Sequence, residues 1–288
     1  MRLATTGFLP GDLRTLEPAH VQKVRQEGFV GCCCRFADFA APTTDELHKI
    51  RDIIAGEGVG IAQVNGQYEG MVNPDESRRQ AGIATFRQAI QVCATLQGDN
   101  LYVRPGSINP RGHWTPHPDN HLPATIDRLV DSLTQVTRTA EDAGVILTIE
   151  GHVLSPLNTV AMVREVLDRV GSPMLKFNVD PVNFVRGLHD VYDSRPLLDE
   201  LYDTLGDVAW VVHAKDVDVE DRLVMHIAEV VIGRGRMDVG YYMQRFEAIK
   251  PEGYFIIEHL PDDLIPEARD SVLATAEKLG IAWLESVV

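Results

Sequence analysis

Acidic and imidazole side chains follow four apolar segments of the sequence, each with the composition of a buried strand. The first, residues 145–152, reads Val-Ile-Leu-Thr-Ile-Glu-Gly-His, so that β-branched and other apolar residues lead directly to Glu150. Runs of this kind are typical of strands that are covered on both faces. Three later segments, residues 175–180, 209–213 and 254–258, end at Asp180, His213 and Glu258. If these strands share one end of a sheet, the four side chains form one metal site.

Two glutamates, one aspartate and one histidine make a hard, mainly anionic ligand set. Such a set predicts one divalent metal ion, with Mn²⁺ preferred and Mg²⁺, Co²⁺ and Zn²⁺ also compatible. A divalent cation that holds sugar oxygens stabilises the enediolate formed when a proton leaves the carbon next to a carbonyl, and a nearby carboxylate can take that proton. Any one of these residues alone would more often cap a strand or form a salt bridge. Their shared position on four strands favours the metal site.

Alternating strands and helices must position these residues. The strands are predicted at residues 2–6, 28–34, 59–64, 101–103, the start of 145–152, 175–180, 209–213 and 254–258. The helices are predicted at residues 18–27, 44–56, 74–96, 123–143, 156–170, 196–205, 239–249 and 264–279. Eight such units predict an α/β fold, a single (β/α)8 TIM barrel domain over residues 1–288. An open doubly wound sheet is less favoured, because no glycine-rich phosphate motif follows the first strand.

The composition disfavours several other classes of protein. The formal net charge is -15, and nucleic-acid binding depends on Lys and Arg. No segment approaches the roughly 18 apolar residues of a membrane span, and the first residues are too short an apolar region for a signal peptide. A cytoplasmic protein without nucleic-acid or membrane partners is therefore expected. The cysteines lack the spacing of a zinc site or disulfide framework and are predicted to be buried thiols. They are Cys32, Cys33, Cys34 and Cys93.

Four motifs carry a family resemblance: Thr-Ile-Glu-Gly-His, Asn-Val-Asp-Pro-Val-Asn, His-Ala-Lys-Asp and Ile-Ile-Glu-His. Their order resembles the xylose-isomerase-like TIM barrel superfamily, which includes ketose 3-epimerases, hydroxypyruvate isomerase, inosose dehydratase and endonuclease IV. The resemblance spans nearly the whole chain and implies a sugar isomerase or epimerase. It implies that Glu150 and Glu258 exchange protons with the substrate carbon. It also implies that one divalent metal is bound by Glu150, Asp180, His213 and Glu258.

Two features depart from the epimerase pattern. Asn183 stands where epimerases often have a histidine three residues after the aspartate, and residues 217–231 lengthen a turn that usually carries an arginine. Arg222 or His226 would then take the role of that arginine. An endonuclease IV-like phosphodiesterase is less favoured, because it uses additional histidines to hold three zinc ions. A sugar-binding barrel without catalysis is disfavoured by the two intact acid/base carboxylates.

His152 supports a second enzymatic hypothesis. The Glu-x-His spacing resembles barrel subunits that cleave C-glycosides of 3-keto sugars, in which the histidine acts as acid or base beside Mn²⁺. The alternative to the isomerase is therefore a metal-dependent lyase or C-glycoside deglycosidase that acts on keto-glycosides, with His152 as a catalytic residue. A histidine that supports the metal ligands or caps its own loop is the structural alternative.

The substrate pocket is predicted at the same end of the strands. The proline-rich segment 104–121 is expected to form a lid in which Trp114 stacks on a sugar ring, with a surface or dimer contact as the alternative. Strand alternation places Thr148 and Asn178 one layer beneath the metal. Gln63 is another residue expected to line the pocket. The predicted substrate-binding residues are Arg35, Asn65, Arg104, His113, Trp114, Asn183, Lys215 and Arg236, and the substrate is a small sugar or keto-glycoside.

An apolar run lies close to the carboxyl terminus. Residues 281–284 read Ile-Ala-Trp-Leu, a sequence that is unfavourable in contact with water. We expect this run to pack against the barrel or against a partner subunit, and we expect the protein to be a homo-oligomer.

Overall fold

The computed structural model describes residues 1–287 and contains a closed barrel of eight parallel strands. In chain order the strands are β1 (Arg2–Thr5), β2 (Gly31–Phe36), β3 (Gly60–Gly66), β4 (Leu101–Val103), β5 (Leu147–Ile149), β6 (Leu175–Val179), β7 (Ala209–Ala214), β8 (Asp216–Val219), β9 (Ile227–Val230) and β10 (Tyr254–Ile257). The barrel runs from β1 to β7 in order and closes through β10 onto β1, while β8 and β9 form a separate antiparallel hairpin. The predicted (β/α)8 barrel is confirmed.

Helices separate the barrel strands. They are α1 (Pro18–Gln26), α2 (Thr44–Gly56), α3 (Glu76–Leu96), α4 (Pro123–Ala143), α5 (Val160–Val170), α6 (Leu188–Tyr192), α7 (Arg195–Leu205), α8 (Val239–Ile249) and α9 (Ile265–Leu279). Local signals explain their ends. Thr43 Oγ1 accepts from Glu46 N, and Glu46 Oε2 accepts from Thr43 N at 2.7 Å, which satisfies two donors at the start of α2. Gly144, with φ of 67°, ends α4 in the left-handed conformation. None of the helices in residues 1–287 is long and apolar enough to cross a membrane.

The predicted element bounds differ from the structure in a few places. Strand β2 begins at Gly31 instead of residue 28, because Gly28 has φ of 85° and still belongs to the turn after α1. Helix α5 begins at Val160 instead of residue 156, because Thr159 caps it by accepting from Met162 N. Helix α6 and the hairpin of β8 and β9 were not predicted. The hairpin occupies most of the segment 217–231, where Val and Asp alternate at the start of β8.

The amino end of the barrel is covered by the carboxyl-terminal tail. The ring of Trp283 lies 5.9 Å from the ring of Phe255 in β10, and Leu284 N donates to Met1 O at 2.9 Å. The run 281–284 therefore packs against the barrel, one of the two outcomes predicted for it. All four cysteines are buried and free, as predicted. These contacts leave the carboxyl ends of the strands open for a site.

Candidate metal and active site

The four proposed metal ligands meet at the carboxyl end of the barrel. Glu150 follows β5, Asp180 follows β6, His213 lies near the end of β7 and Glu258 follows β10. One ligand atom from each lies within 4.8 Å of the others. All four side chains are at least nine-tenths buried. Three carboxylates brought this close repel one another, so a cation between them would stabilise the cluster.

Two atoms of this cluster show that the donor set fits a metal. Asp180 Oδ1 and His213 Nδ1 are buried without a hydrogen-bond partner. His213 Nδ1 lies 2.9 Å from Glu258 Oε1 and 3.4 Å from Glu150 Oε1. A buried lone pair without a partner is costly, and coordination of a cation would remove that cost. Carboxylate oxygens with one imidazole nitrogen suit a hard divalent ion.

A chain of side-chain amides determines which nitrogen of His213 faces the cluster. Asn100 Nδ2 donates to the carbonyl oxygen of Ala62 at 2.8 Å, so Asn100 Oδ1 is free to accept from Gln63 Nε2 at 3.0 Å. Gln63 Nε2 also donates to Asn178 Oδ1 at 3.1 Å, and Gln63 Oε1 therefore faces His213 Nε2 at 3.0 Å. Because an amide oxygen only accepts, His213 Nε2 carries the hydrogen. In the neutral ring the Nδ1 lone pair points at the three carboxylates.

Thr148 and Asn178 lie beneath the cluster, as strand alternation predicts. Asn178 Nδ2 donates to Glu150 Oε1 at 3.3 Å. Thr148 Oγ1 donates to Asn100 Oδ1 at 2.7 Å and so supports the amide chain. All of these side chains are fully buried. Glu150 is therefore held from below by neutral groups whose own hydrogen bonds are satisfied.

The cationic neighbours of the cluster are on the side of Glu258. Lys215 Nζ lies 2.8 Å from Glu258 Oε1 and 2.6 Å from Asp180 Oδ2, in a position that is almost fully buried. Burial would raise the pKa of Glu258, but the positive charges of His213 and Lys215 outweigh it and hold that pKa well below its usual range. Burial, with the negative charge of Asp180, raises the pKa of Glu150 to about 8. Burial lowers the pKa of His213, but Glu258 and Glu150 outweigh it and raise that pKa to about 10.

Tyr102 is a site residue that sequence reasoning missed. Its hydroxyl donates to Glu150 Oε2, and its ring lies 5.4 Å from the ring of His213. Strand β4 has only three residues, Leu-Tyr-Val, and reads as apolar core. Tyr102 pairs across the sheet with Thr148, which was predicted to face inward. That shared register is the signal from which its direction could have been found.

His152 caps its own loop and also approaches the site. Its Nδ1 accepts from Leu154 N at 3.0 Å, so the neutral ring carries its hydrogen on Nε2. Its ring lies 5.6 Å from the ring of Trp114, a residue of segment 104–121. Burial lowers the pKa of His152. The neutral ring can therefore donate one hydrogen bond from Nε2 while its Nδ1 holds the loop.

The segment 104–121 is an ordered loop. Ser107 Oγ donates to Thr115 O at 2.6 Å, and Asn120 Oδ1 accepts from Ile108 N at 2.8 Å. Asn120 Nδ2 also donates to Leu154 O at 2.8 Å, which joins this loop to the loop that carries His152. The loop thus places Trp114 beside His152 as one wall of the site.

The other predicted pocket residues fall into two groups. Lys215 joins the cluster, and Asn183 is buried in the turn after Asp180, where its carbonyl oxygen accepts from Val153 N. Asn65, near the end of β3, is half-buried. By contrast, Arg35 and Arg236 are exposed, and Arg236 pairs with Asp218 of the hairpin at 2.7 Å. Arg222 and His226 are also exposed, and both pair with Glu220.

The hairpin approaches the site through His259, which sequence reasoning did not single out. His259 follows Glu258 and adopts the left-handed conformation, with φ of 58°. Its Nδ1 lies 3.2 Å from Glu229 Oε2 on β9, and its Nε2 lies 3.8 Å from Glu258 Oε1. A non-glycine residue in this conformation is uncommon and is often found at functional sites. The segment 217–231 thus forms a second wall of the site.

Comparison with known proteins identifies the family. The family model of the xylose isomerase-like TIM barrel matches residues 21–285. The chain belongs to this family. No curated protein matches the chain.

Solved structures show how far the likeness of this xylose isomerase-like barrel extends. It is similar to 3-keto-D-glucoside 4-epimerase from E. coli, with 19% identity over 96% of this chain and 99% of that chain and a TM-score of 0.72. A xylose isomerase-like protein from Mycobacterium smegmatis, in complex with magnesium, is 16% identical over 96% of both chains, with a TM-score of 0.72. D-psicose 3-epimerase is 17% identical over 98% of this chain and 99% of that chain, with a TM-score of 0.71. At these identities the likeness establishes a shared fold.

Proposed function

We propose that this xylose isomerase-like barrel is a divalent-metal-dependent sugar isomerase or epimerase that moves a proton on the carbon next to a sugar carbonyl. The observation that carries the proposal is the buried cluster of Glu150, Asp180, His213 and Glu258, whose ligand atoms lie within 4.8 Å of one another. Two solved structures with this fold are a 3-keto-D-glucoside 4-epimerase and a D-psicose 3-epimerase, which supports a sugar substrate.

The two glutamates are proposed as the acid/base pair. A divalent ion bound by the cluster would supply the positive charge that stabilises the oxygens of the enediolate. Glu258, whose carboxylate is paired with Lys215 Nζ at 2.8 Å, accepts the proton from the substrate carbon. Glu150 is proposed to return a proton to the carbon, and in the metal-free protein burial raises its pKa to about 8. Two carboxyl groups with opposite pKa shifts are a common arrangement in proton-transfer sites.

A keto-glycoside lyase or C-glycoside deglycosidase is the second candidate, and His152 is the observation that favours it. In the geometry of this loop Nδ1 accepts from Leu154 N, so the neutral ring of His152 would present Nε2–H as a hydrogen-bond donor to the charge that develops on a leaving group. The fold that the chain shares with 3-keto-D-glucoside 4-epimerase supports keto-glycosides as a substrate class. A phosphodiesterase with three zinc ions is less favoured, because one group of four ligand residues is found within residues 1–287.

Further parts of the proposal concern the metal, the pocket and the assembly. Mn²⁺ is the preferred ion, although a similar structure was obtained with magnesium. The protein is proposed to be a cytoplasmic single-domain homo-oligomer, and sedimentation at micromolar concentration tests the oligomer. The pocket is proposed to consist of Asn65, Arg104, His113, Trp114, Asn183 and Lys215. Arg35 and Arg236 are exposed, and the proposed reaction does not require them.

The experiment that tests the proposal is hydrogen exchange in D₂O. Protein loaded with Mn²⁺ is incubated with D-fructose, D-tagatose and a 3-keto-glucoside, and deuterium at the carbon next to the carbonyl is measured by NMR. Enzyme-dependent exchange in at least one of these sugars is expected. Elemental analysis of the same sample should find one metal ion per chain, and three zinc ions would favour the phosphodiesterase.

A further inference from the structure

Two arginines and one lysine are buried in residues 1–287, and they differ in how their charge is balanced. Arg79 lies 2.8 Å from Glu76 Oε2 and 2.5 Å from Asp131 Oδ2. Lys215 is paired with two carboxylates of the metal cluster. Arg104 is only 9% exposed, yet none of the ion pairs formed by residues 1–287 includes it. A buried charge without a partner is strongly unfavourable, so the third case needs an explanation.

The surroundings of Arg104 are neutral. Its Nη2 donates to the carbonyl oxygen of Gly66, and its guanidinium lies 4.6 Å from the centre of the Tyr68 ring. Its Nε is buried and has no hydrogen-bond partner. His113 is close, but its Nε2 contacts Tyr68 O at 3.0 Å, and burial together with the charge of Arg104 lowers its pKa to about 4. These neighbours supply aromatic and dipolar contacts, and they supply no negative charge.

Arg104 lies at the carboxyl end of the barrel, two residues after Tyr102. Tyr102 faces the barrel interior, where its hydroxyl contacts Glu150. Arg104 directly follows β4, and continuation of the alternation along that strand would place it on the same side as Tyr102, roughly 6.5 Å closer to the mouth of the barrel. Its contact with Gly66, the last residue of β3, keeps the guanidinium at the carboxyl end of the barrel. A group of the substrate that extends from the metal cluster towards the mouth would meet it.

We propose that Arg104 binds an anionic group of the substrate, a carboxylate or a phosphate, and that the sugar is therefore an acidic sugar. The proposal rests on the proposed function for the statement that the ligand is a sugar. The planar guanidinium carries hydrogen-bond donors in a fork that matches the oxygens of both anions. The substrate would then supply the negative charge that balances the guanidinium of Arg104. In this way an acid is distinguished from the neutral sugar of the same skeleton.

A structural role for Arg104 is the competing explanation. The side chain connects β4 to Gly66 of β3 and stacks on Tyr68, so it could serve only to hold the two loops together. The two roles differ in what removal of the charge does. A structural arginine stabilises the folded protein, whereas an arginine kept for a ligand leaves an unbalanced charge. Arg104→Met keeps much of the length of the side chain and removes that charge.

The test is calorimetric binding to the Mn²⁺-loaded full chain with D-fructose, D-fructuronate and D-fructose 6-phosphate, three probes that differ at one end of the molecule. We expect one of the two acids to bind at least 10-fold more tightly than D-fructose, and its identity separates a carboxylate from a phosphate. Arg104→Met should weaken binding of the preferred acid at least 10-fold and weaken D-fructose binding by a smaller factor, so that the preference is lost. Arg104→Lys should keep part of it, because the charge remains and the fork is lost. Arg87→Met, which removes an exposed arginine from α3, is the matched control and should keep the preference.

The outcomes separate this inference from the proposed function. If neither acid binds more tightly than D-fructose, or if Arg104→Met weakens all three probes equally, the acidic-sugar proposal is overturned. The same result follows if Arg104→Met lowers the free energy of unfolding in urea and leaves the acid preference intact. Exchange of the C–H of D-fructose without any acid preference would support the proposed function alone. Acid binding that depends on Arg104 without C–H exchange in any probe would support the inference alone.

Discussion

The β5 side and the β10 side of the metal cluster each place a glutamate directly after the strand, but the two glutamates have different neighbours. Glu150 is contacted by the hydroxyl of Tyr102 and the amide of Asn178, which are neutral donors. Glu258 is contacted by Lys215, which carries positive charge, and it lies closer to His213 Nδ1 than Glu150 does, at 2.9 Å against 3.4 Å. The barrel therefore supplies the positions of the two carboxylates, and their neighbours determine how readily each holds a proton.

Removal of the metal should have the largest effect on turnover, because the proposed mechanism relies on one cation shared by Glu150 and Glu258. A chelator is expected to abolish turnover and to lower the thermal midpoint of unfolding. At 100 times its Kd, a metal adds about 2.7 kcal/mol to the free energy of unfolding. Mn²⁺ or Co²⁺ should restore both properties in calorimetry and activity assays. Full activity in the metal-free protein would remove the metal from the mechanism.

Lys215→Met should remove the positive charge that balances the carboxylates on the β10 side of the cluster. The substitution leaves Asp180 and Glu258 buried without their cation, and loss of one partner from a buried ion pair costs about 3–5 kcal/mol. We expect this loss in urea unfolding of the metal-free protein and a smaller loss when Mn²⁺ is bound. Lys278→Met, an exposed substitution on α9, is the matched control. Equal stability of the two metal-free variants would show that Lys215 does not balance the carboxylates.

Glu258→Gln tests whether Glu258 only binds the metal or also accepts the proton from the substrate. The amide keeps one oxygen for the metal but cannot accept a proton at neutral pH, so turnover should fall by a factor of about 10² or more with folding intact. Exchange of the substrate C–H in D₂O reads out this step directly, with Glu150→Gln as the matched variant on the β5 side. Wild-type exchange in Glu258→Gln, but not in Glu150→Gln, would make Glu258 a ligand only. If His152→Ala kept C–H exchange but lost release of the leaving group from a keto-glycoside, the lyase hypothesis would move ahead.

The smallest expected effect is the pH dependence of the free energy of unfolding, which tests the raised pKa of Glu150. The pKa of Glu150 is raised to about 8 in the folded protein, so the folded state binds more protons than the unfolded state above pH 4.5. The pKa of His213 is raised to about 10, and the stability it contributes is lost as the pH rises above 6.5. Urea unfolding of the metal-free protein should therefore show decreasing stability from pH 6.5 to pH 8, above the range in which the lowered pKa of His113 gives the opposite slope. Glu150→Gln should reduce the slope, and an unchanged slope would contradict the pKa shift.

The barrel and the four ligands could be predicted because their signals are local in the sequence. Each apolar run carries its own polar terminus, and alternation with helices places the termini together. The contact of Tyr102 with Glu150 was not predicted, because it joins residues 48 positions apart in the sequence. Arg236 was expected in the pocket, but it pairs with Asp218 on a hairpin that was not predicted. Position at a strand end thus predicts the location of a residue better than the direction of its side chain.

The amide chain beneath the cluster has an evolutionary consequence. The carbonyl oxygen of Ala62 accepts from Asn100, and further hydrogen bonds connect Asn100 to Gln63 and Gln63 to the ring of His213. A main-chain carbonyl oxygen is an acceptor whatever the side chain at that position. The backbone of β3 therefore determines which ring nitrogen of His213 faces the carboxylates. A change of Asn100 to an acid would remove the first donor and leave Gln63 free to rotate. We therefore expect positions 63 and 100 to vary together among related chains and to stay constant wherever position 213 is a histidine.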